Sequence, residues 1–165
     1  MATPRLDGGM LPFPVSLHMA RAFDEARAAA LRSEVPVGAV IADADGAMIA
    51  AAGNRTRELT DPTAHAEILA IRAAAATMGS ERLTGCVLFV TLEPCAMCAA
   101  AIAHARIARL VYGADDPKSG GVDHGARVFT HAQAHHVPEV ISGIGAAAAA
   151  ALLTDFFRQR RSAPR

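Results

Sequence analysis

Apolar residues recur at helical spacing near the start of the chain, over residues 16–32, and this pattern predicts an amphipathic helix. Two short apolar runs follow and are separated by Asp45-Gly46. Such a dipeptide between apolar runs is typical of the turn of a β-hairpin. We therefore predict one strand within residues 35–43 and its antiparallel partner within residues 47–54.

Strands and helices alternate in the next part of the chain. An alanine-rich helix is predicted from the segment DPTAHAE, residues 61–67, to Gly79, because glycine commonly follows the last residue of a helix. The apolar, β-branched run CVLFVTLE predicts a buried strand, Pro94 to His104 a further helix, and ARLVYGA another strand. This alternation predicts an α/β fold in which helices pack on a sheet.

The last part of the chain is predicted to contain a long loop and a final helix. Residues 115–140 are rich in glycine, histidine and charge, and we expect a loop there with a single helical turn. Loops of this length in compact domains are often functional. Residues 145–161 predict a helix that ends in arginines, where cations suit the helix dipole. Four of its side chains are expected to face the core: Leu152, Leu153, Phe156 and Phe157.

Composition and charge limit the classes of protein that fit. A chain of 165 residues, 52% of them hydrophobic, can bury a core, so we expect one domain over residues 16–161 between a disordered N-terminal tip (1–15) and a short tail (162–165). Pro12 and Pro14 interrupt the only early apolar stretch, which predicts a cytoplasmic protein without signal peptide or membrane association. The formal net charge is zero, so any electrostatic attraction to nucleic acid must be local.

Cys95 and Cys98 form a C-x-x-C pair directly after Pro94, a residue that suits the first position of a helix. Three cysteines cannot all pair within one chain, and this spacing favours metal or redox chemistry over a disulfide framework. On the first turn of a helix both sulfurs point the same way, and the helix dipole favours thiolates. By itself the pair fits a metal clip, a redox pair or a buried structural pair. The third cysteine, Cys86, falls on an apolar strand and is expected in the core.

His65 and Glu67 interrupt the start of an otherwise apolar helix. A lone histidine there is more typical of a buried core residue than of a ligand. Two helix starts on one sheet can nevertheless bring His65 and both cysteines of the C-x-x-C pair within about 2.0–2.3 Å of one zinc ion, which imidazole and thiolate ligands select. Three protein ligands leave a fourth position open for water, as in catalytic sites. Glu67, two residues further along the helix, is not expected to share the metal but to lie beside the bound water and carry protons, although a carboxylate there also suits the helix dipole.

The segments HAE and PCAMC match the signature H-x-E…P-C-x-x-C of zinc-dependent cytidine and adenosine deaminases. Further segments, EVPVGAVI, GNR, DPTAHAEILAIR, LFVTLEPCAMCAAAIAHARI, VYGADDPKSG and LLTDFFRQRR, make residues 16–161 resemble the bacterial tRNA adenosine deaminase family. The resemblance implies a three-layer α/β/α fold with a five-stranded mixed sheet, and a homodimer. It also implies one zinc ion per subunit, bound by His65, Cys95 and Cys98, with Glu67 as the proton shuttle.

The same resemblance implies hydrolytic deamination of adenosine to inosine at the wobble position of a tRNA anticodon loop, with an arginine tRNA that carries an ACG anticodon as the expected partner. In this family Asn54 would hydrogen-bond the base and Asp116 would contact the substrate backbone. Lys118 and the arginines of the final helix, including Arg158 and Arg161, supply local positive charge for phosphates. A solvated helix end is the alternative interpretation of these arginines.

Two other functions fit the same residues. One is deamination of a free base or nucleoside, such as guanine, cytosine or cytidine, which a neutral chain slightly favours; the other is a non-catalytic, zinc-stabilised binding module. Residues 121–137 depart from the usual family pattern, so the implied RNA contacts there stay open. A second metal at His131, His135 and His136 is a further alternative, although histidines in a loop are more often exposed to solvent or face phosphates.

Overall fold

A mixed sheet between two layers of helices forms the centre of the computed structural model, which describes residues 15–163. In chain order the elements are α1 (Val15–Leu31), β1 (Gly38–Ala42), β2 (Met48–Gly53), α2 (Ala66–Met78), β3 (Val87–Leu92), α3 (Ala96–His104), β4 (Arg109–Ala114), a 3-10 helix (Val128–Thr130), β5 (Glu139–Ile141) and α4 (Ala146–Ser162). The five strands lie in the order β2-β1-β3-β4-β5.

The direction of the strands brings the segments of the functional site to one edge of the sheet. Strand β1 is antiparallel to β2 and β3, whereas β3, β4 and β5 are parallel to one another. The carboxyl ends of β3 and β4 therefore meet at the same edge, and ligands commonly bind outside such ends. Strand β1 begins at this edge too, where the backbone NH of Gly38 donates to the Thr91 hydroxyl at 3.2 Å.

Successive residues of each strand face opposite helix layers, as β-strand geometry requires. In β1, Ile41 packs with α2 and α3, whereas Val40 packs with α1 and α4. Helix α1 lies so close to β1 that a Cβ at Gly38 would be 1.9 Å from the backbone oxygen of Ala22. These two cores confirm the predicted three-layer α/β/α fold with its five-stranded mixed sheet.

The predicted hairpin and the predicted end of α2 are both present. In the hairpin, Oδ1 of Asp43 accepts the backbone NH groups of Asp45 and Ala47 at 3.0 and 2.9 Å. Gly46 adopts a φ of 88°, which glycine tolerates best. Helix α2 ends before Gly79, whose φ of 63° and ψ of 31° give the left-handed conformation typical of a helix C-terminus.

Three local predictions were wrong. Helix α3 begins at Ala96, because Cys95 is extended, with φ −69° and ψ 173°, and precedes the first helical residue. The last two residues of the predicted loop, 139 and 140, belong to β5, a strand too short for its pattern to be recognised. Phe157 is 44% exposed, because α4 packs through a narrow stripe that includes the neighbouring Phe156.

The chain termini limit what the structure says of the domain boundaries. Residues 1–14 and 164–165 lie outside the described part, so the predicted N-terminal tip is described only at Val15, which begins α1. The predicted bounds of the domain stay a prediction. Within residues 15–163, the structure has no helix with the length and apolar character that a membrane span needs.

Candidate active site and metal centre

Two helix starts at the same edge of the sheet bring together three potential metal ligands. His65 is the N-cap residue of α2, Cys95 is the N-cap residue of α3, and Cys98 follows in the first turn of α3. Nδ1 of His65 lies 3.7 Å from Sγ of Cys95 and 3.6 Å from Sγ of Cys98. The local helix starts thus place an imidazole and two sulfurs around one point.

This donor set fits a zinc ion. In a tetrahedral zinc site with Zn–N bonds of about 2.0–2.1 Å and Zn–S bonds of about 2.3 Å, the nitrogen and sulfur atoms are about 3.5–3.6 Å apart. The observed separations of 3.6 and 3.7 Å match this edge length. No further His, Cys, Asp or Glu of residues 15–163 joins the group formed by His65, Cys95 and Cys98. Three ligands with an open fourth position are the composition of a catalytic zinc site.

The sulfur of Cys95 is held in the form that binds metal. The Cys98 thiol donates a hydrogen bond to Cys95 and, together with His65, lowers the pKa of Cys95 to about 4 in spite of partial burial. A thiolate, and not a thiol, is the species that coordinates zinc. The site is therefore preorganised electrostatically for a cation.

Glu67 lies beside the ligands but does not belong to them. It is the second residue of α2, only 4% exposed, and lines the same cavity as His65 and Cys95. Burial raises the pKa of Glu67 to about 7. A carboxyl group that lines the same cavity as His65 and Cys95 can reach a molecule bound next to the metal.

A cavity of about 210 Å³ opens over this group of residues. Its walls combine apolar side chains with polar groups that converge on the metal ligands, the combination that is usual in small-molecule sites. A wider concavity of about 500 Å³ lies between α1, β2 and α2, but it contains none of the metal ligands. The residues that line the cavity over the metal ligands are Val35, Val37, Asn54, Thr56, His65, Glu67, Leu92, Glu93, Cys95, Asp116 and Ser119.

Asn54 lines the cavity with its amide in a defined orientation. Its Oδ1 accepts the backbone NH of Ala66, at the N-terminus of α2, across 2.8 Å. The oxygen end of the amide is thus engaged with the protein, so the NH₂ end is the part of this lining residue that can donate to a bound molecule.

The remaining predicted substrate contacts are not all at the cavity. Asp116 lines it, and Oδ1 of Asp116 accepts the backbone NH groups of Lys118 and Ser119 at 3.2 and 2.9 Å. The side chain of Lys118 is exposed and outside the cavity lining. Arg158 and Arg161 are exposed on α4, in the opposite helix layer, where Arg158 lies 3.6 Å from Asp155.

Two buried glutamates that support the cavity walls were not predicted from the sequence. Glu34 accepts the backbone NH groups of Arg57 and Glu58 at 2.9 and 2.8 Å, and the hydroxyl of Thr56, a lining residue, at 3.2 Å. Glu93 similarly accepts backbone NH groups of the segment after β4. The available signal was a glutamate next to an apolar run, SEVPV in one case and VTLEP in the other.

The loop histidines do not form a second metal site in the described part of the chain. Nε2 of His131 lies 2.7 Å from the backbone oxygen of Ala126, and Nε2 of His136 lies 2.8 Å from that of Ile107. The ring of His135 instead packs against the ring of His104 in α3, with the ring centres 4.5 Å apart. The alternative of a metal bound by these histidines is therefore wrong, since their rings are separately engaged.

A mixed group of Glu93, Asp115 and His124 also has its donor atoms within 4.8 Å of one another. Both oxygens of Glu93 already accept hydrogen bonds from the surrounding backbone and from the His124 ring. Glu93 therefore anchors a loop, and its carboxylate oxygens are satisfied by these hydrogen bonds without a cation.

Comparison with known proteins agrees with this site. The cytidine and deoxycytidylate deaminase zinc-binding region matches residues 15–114. The tRNA-specific adenosine deaminase of Agrobacterium fabrum is 56% identical over 143 residues, which cover 87% of this chain and 93% of that protein. The corresponding protein of Rickettsia bellii is 45% identical over 144 residues, which cover 87% and 99%.

Solved structures show the same likeness. A tRNA:A34 deaminase studied for A-to-I editing superposes with a TM-score of 0.82 and 55% identity, over 84% of this chain and 99% of the other. The guanine deaminase of Nitrosomonas europaea gives a TM-score of 0.75 and 25% identity, over 87% and 84%. The site, the sequence match and the fold together show that the chain belongs to the tRNA-specific adenosine deaminases of the cytidine and deoxycytidylate deaminase zinc-binding family.

Proposed function

We propose that this protein catalyses the zinc-dependent hydrolytic deamination of adenosine to inosine at the wobble position, position 34, of a tRNA anticodon. The observation that carries the chemistry is a group of three potential zinc ligands, His65, Cys95 and Cys98, beside the buried carboxylate of Glu67. The RNA substrate is supported by the 56% identity to the tRNA-specific adenosine deaminase of Agrobacterium fabrum.

The metal centre would hold one zinc ion per subunit through His65 Nδ1 and the two cysteine sulfurs. When bound, zinc supplies Lewis-acid chemistry that lowers the pKa of a coordinated water from about 15.7 towards about 7. The protein's own contribution here is a ligand set held on two helix starts, with His65 and Cys95 in the wall of the cavity.

Glu67 would move the protons of the reaction. Its carboxylate accepts a proton from the attacking water and delivers it to N1 of adenine. It then transfers the second water proton to the exocyclic nitrogen, so that a C6–O bond forms, the C6–N bond breaks and ammonia leaves. Because Glu67 is only 4% exposed, it would meet a substrate in the cavity in preference to bulk water.

Asn54 and Asp116 would orient the nucleotide. The amide NH₂ of Asn54 can donate to an acceptor on the base, such as a ring nitrogen. Asp116, with Oδ1 engaged by its own loop, has Oδ2 available only as an acceptor. A carboxylate suits a ribose hydroxyl and repels a phosphate, so Asp116 would contact the sugar.

Exposed cations would attract the RNA backbone. Lys118 lies two residues after Asp116, while Arg158 and Arg161 are on the exposed surface of α4. Leu31, at the end of α1, and Phe156 of α4 line the same surface hollow. The chain that follows α1 reaches the cavity at Val35 and Val37. Phosphate contacts at these positions would add affinity without reading bases.

We further propose a homodimer in the cytoplasm. Helix α3 carries no Asp, Glu, Lys or Arg over its nine residues, AMCAAAIAH. Its outward side chains, Ala96, Met97, Ala100 and Ala101, are exposed or half-buried. An uncharged helix face of this kind suits burial against a second copy of the chain.

The test is incubation of the zinc-loaded protein with a transcribed arginine tRNA that carries an ACG anticodon, beside free adenosine, cytidine and guanine. We expect inosine at the wobble position and no ammonia from the small substrates. The same tRNA with a GCG anticodon is the matched control, because it lacks the reacting adenosine.

Deamination of a free base is the second candidate, and the likeness to the guanine deaminase of Nitrosomonas europaea favours it. Ammonia from guanine or a nucleoside, with an unchanged tRNA, would support this candidate and contradict RNA editing. A zinc-loaded protein that is inactive on all these substrates would instead favour a zinc-stabilised binding module.

A further inference from the structure

Glu93 is a buried carboxylate at the end of β3, two residues before the metal ligand Cys95, and it is only 2% exposed. Its Oε1 accepts the backbone NH groups of Val122, Asp123 and His124 at 3.2, 2.9 and 2.9 Å. Its Oε2 accepts the backbone NH of Asp116 and lies opposite Nδ1 of His124, both at 2.8 Å.

These five hydrogen bonds all involve one segment, residues 116–124, which follows β4. A carboxylate has about four lone-pair positions, so five donors saturate Glu93. No acceptor capacity is left for a substrate, a water or a metal. Glu93 therefore acts on its surroundings by holding this segment in place.

The held segment forms a wall of the cavity and touches the metal-binding turn. Asp116 and Ser119 line the cavity. A Cβ at Gly120 would lie 2.5 Å from Oε1 of Glu93, and a Cβ at Gly121 would lie 2.4 Å from the backbone nitrogen of Ala96. The segment is thus packed without space to spare between the carboxylate and the start of α3.

We propose that Glu93 is a positioning residue, which sets the distance between the substrate-facing wall at Asp116 and the metal ligands at the start of α3. The role follows from the position of Glu93 in the chain, immediately before Pro94-Cys95. This short turn carries the metal ligand Cys95 and, through the hydrogen bonds of Glu93, also fixes the segment that forms the wall. Substrate affinity should then depend on Glu93, whereas zinc binding should not. This inference rests on the proposed deaminase function for its kinetic readout.

The experiment compares Glu93→Gln with Glu139→Gln in the full-length, zinc-loaded protein. Glutamine has the same shape but places an NH₂ group against backbone donors. Glu139 is the matched control, because it is a largely buried glutamate 2.6 Å from Arg109, and both residues lie at the first positions of β4 and β5, the ends away from the cavity. We expect Glu93→Gln to keep one zinc per chain and to raise KM for the tRNA by about tenfold or more, with kcat changed by less than about threefold. Glu139→Gln should leave both constants unchanged.

A second readout does not require activity. Hydrogen exchange of the backbone amides of Asp116, Val122, Asp123 and His124 should accelerate in Glu93→Gln and stay slow in Glu139→Gln. Unchanged exchange of these amides would overturn the inference even if the substrate proves to be a free base. Unchanged exchange together with inactive wild-type protein would count against both proposals, whereas accelerated exchange with inactive wild-type protein would count against the proposed function alone.

Two further outcomes bear on the role of Glu93. A parallel loss of zinc, or an equal fall of kcat with unchanged KM, would overturn a positioning role. If Glu93→Gln does not fold, His124→Gln removes one of the five hydrogen bonds. It should then raise KM and accelerate amide exchange in the same direction but by less. Unchanged KM and unchanged exchange in His124→Gln would overturn the inference as well.

Discussion

Nδ1 of His65 lies 3.6 Å from Sγ of Cys98, although 33 positions separate the two residues in the chain. The contact joins the start of α2 to the first turn of α3 across the edge of the sheet. It places a nitrogen and a sulfur at the separation found in tetrahedral zinc sites.

Cys98→Ala should abolish stoichiometric zinc binding, because it removes one of only three protein ligands. In the described part of the chain no other His, Cys, Asp or Glu belongs to this group and could replace the sulfur, so the affinity for zinc should fall by several orders of magnitude. Cys86→Ala is the matched control, since Cys86 is equally buried but lies outside the ligand group. Atomic absorption on the purified proteins measures the difference, and one zinc per chain in Cys98→Ala would contradict the assignment.

Glu67→Gln and Glu67→Ala should retain zinc and lose turnover by about 10²–10⁴-fold or more, because neither side chain can carry a proton. Single-turnover assays on the tRNA, with metal analysis of the same preparations, provide the measurement. Glu81→Gln, at an exposed glutamate, controls for the loss of a carboxylate. Near wild-type turnover in either Glu67 variant would remove Glu67 from the mechanism.

Asn54→Asp separates the two ends of the amide. The carboxylate can still accept the NH of Ala66, which the structure places 2.8 Å from Asn54 Oδ1, but it cannot donate to the base. A lost hydrogen bond that leaves a buried acceptor unpaired costs about 1–3 kcal/mol, so kcat/KM should fall by about 10- to 100-fold while zinc content is unchanged. Activity close to that of the unmodified protein would show that Asn54 does not donate to the substrate.

His124 should make the stability of the fold depend on pH. Its hydrogen bond to Glu93, supported by Asp115 and Asp123, raises the pKa of His124 above the ordinary value of 6.5. The stabilisation is thus fully present below pH 6.5 and is lost as the pH rises through the raised folded-state pKa.

Urea denaturation of the unmodified protein and of His124→Gln checks this effect. The difference in free energy of unfolding between the two should be larger at about pH 5.5 than at about pH 8.5. His131→Gln, at another histidine of the same loop that bonds a backbone oxygen, serves as the control. A difference that grows with pH would contradict the sign of the shift.

Local patterns in the sequence were sufficient for most elements and for the zinc clip. The Asp45-Gly46 turn and the left-handed Gly79 depend on the backbone preferences of those residues, which act over a few positions. The three-residue spacing of Cys95 and Cys98 directs both sulfurs to one side for the same local reason. His65 and Glu67 were linked to these cysteines by the expectation that two helix starts meet on one sheet, and the match to the H-x-E…P-C-x-x-C signature supported this link.

The walls of the cavity depend on contacts between distant parts of the chain. The burial of Glu93 and its bonds to residues 116–124 depend on the order of β3 and β4 in the sheet and on the path of a long loop. The orientation of the Asn54 amide depends on α2 starting beside it, and the exposure of Phe157 depends on how narrow a stripe of α4 meets the sheet. Spacing along the chain determines which side of an element a residue occupies, but contacts between distant segments are set by how those elements pack, and that is where the walls of the cavity are made.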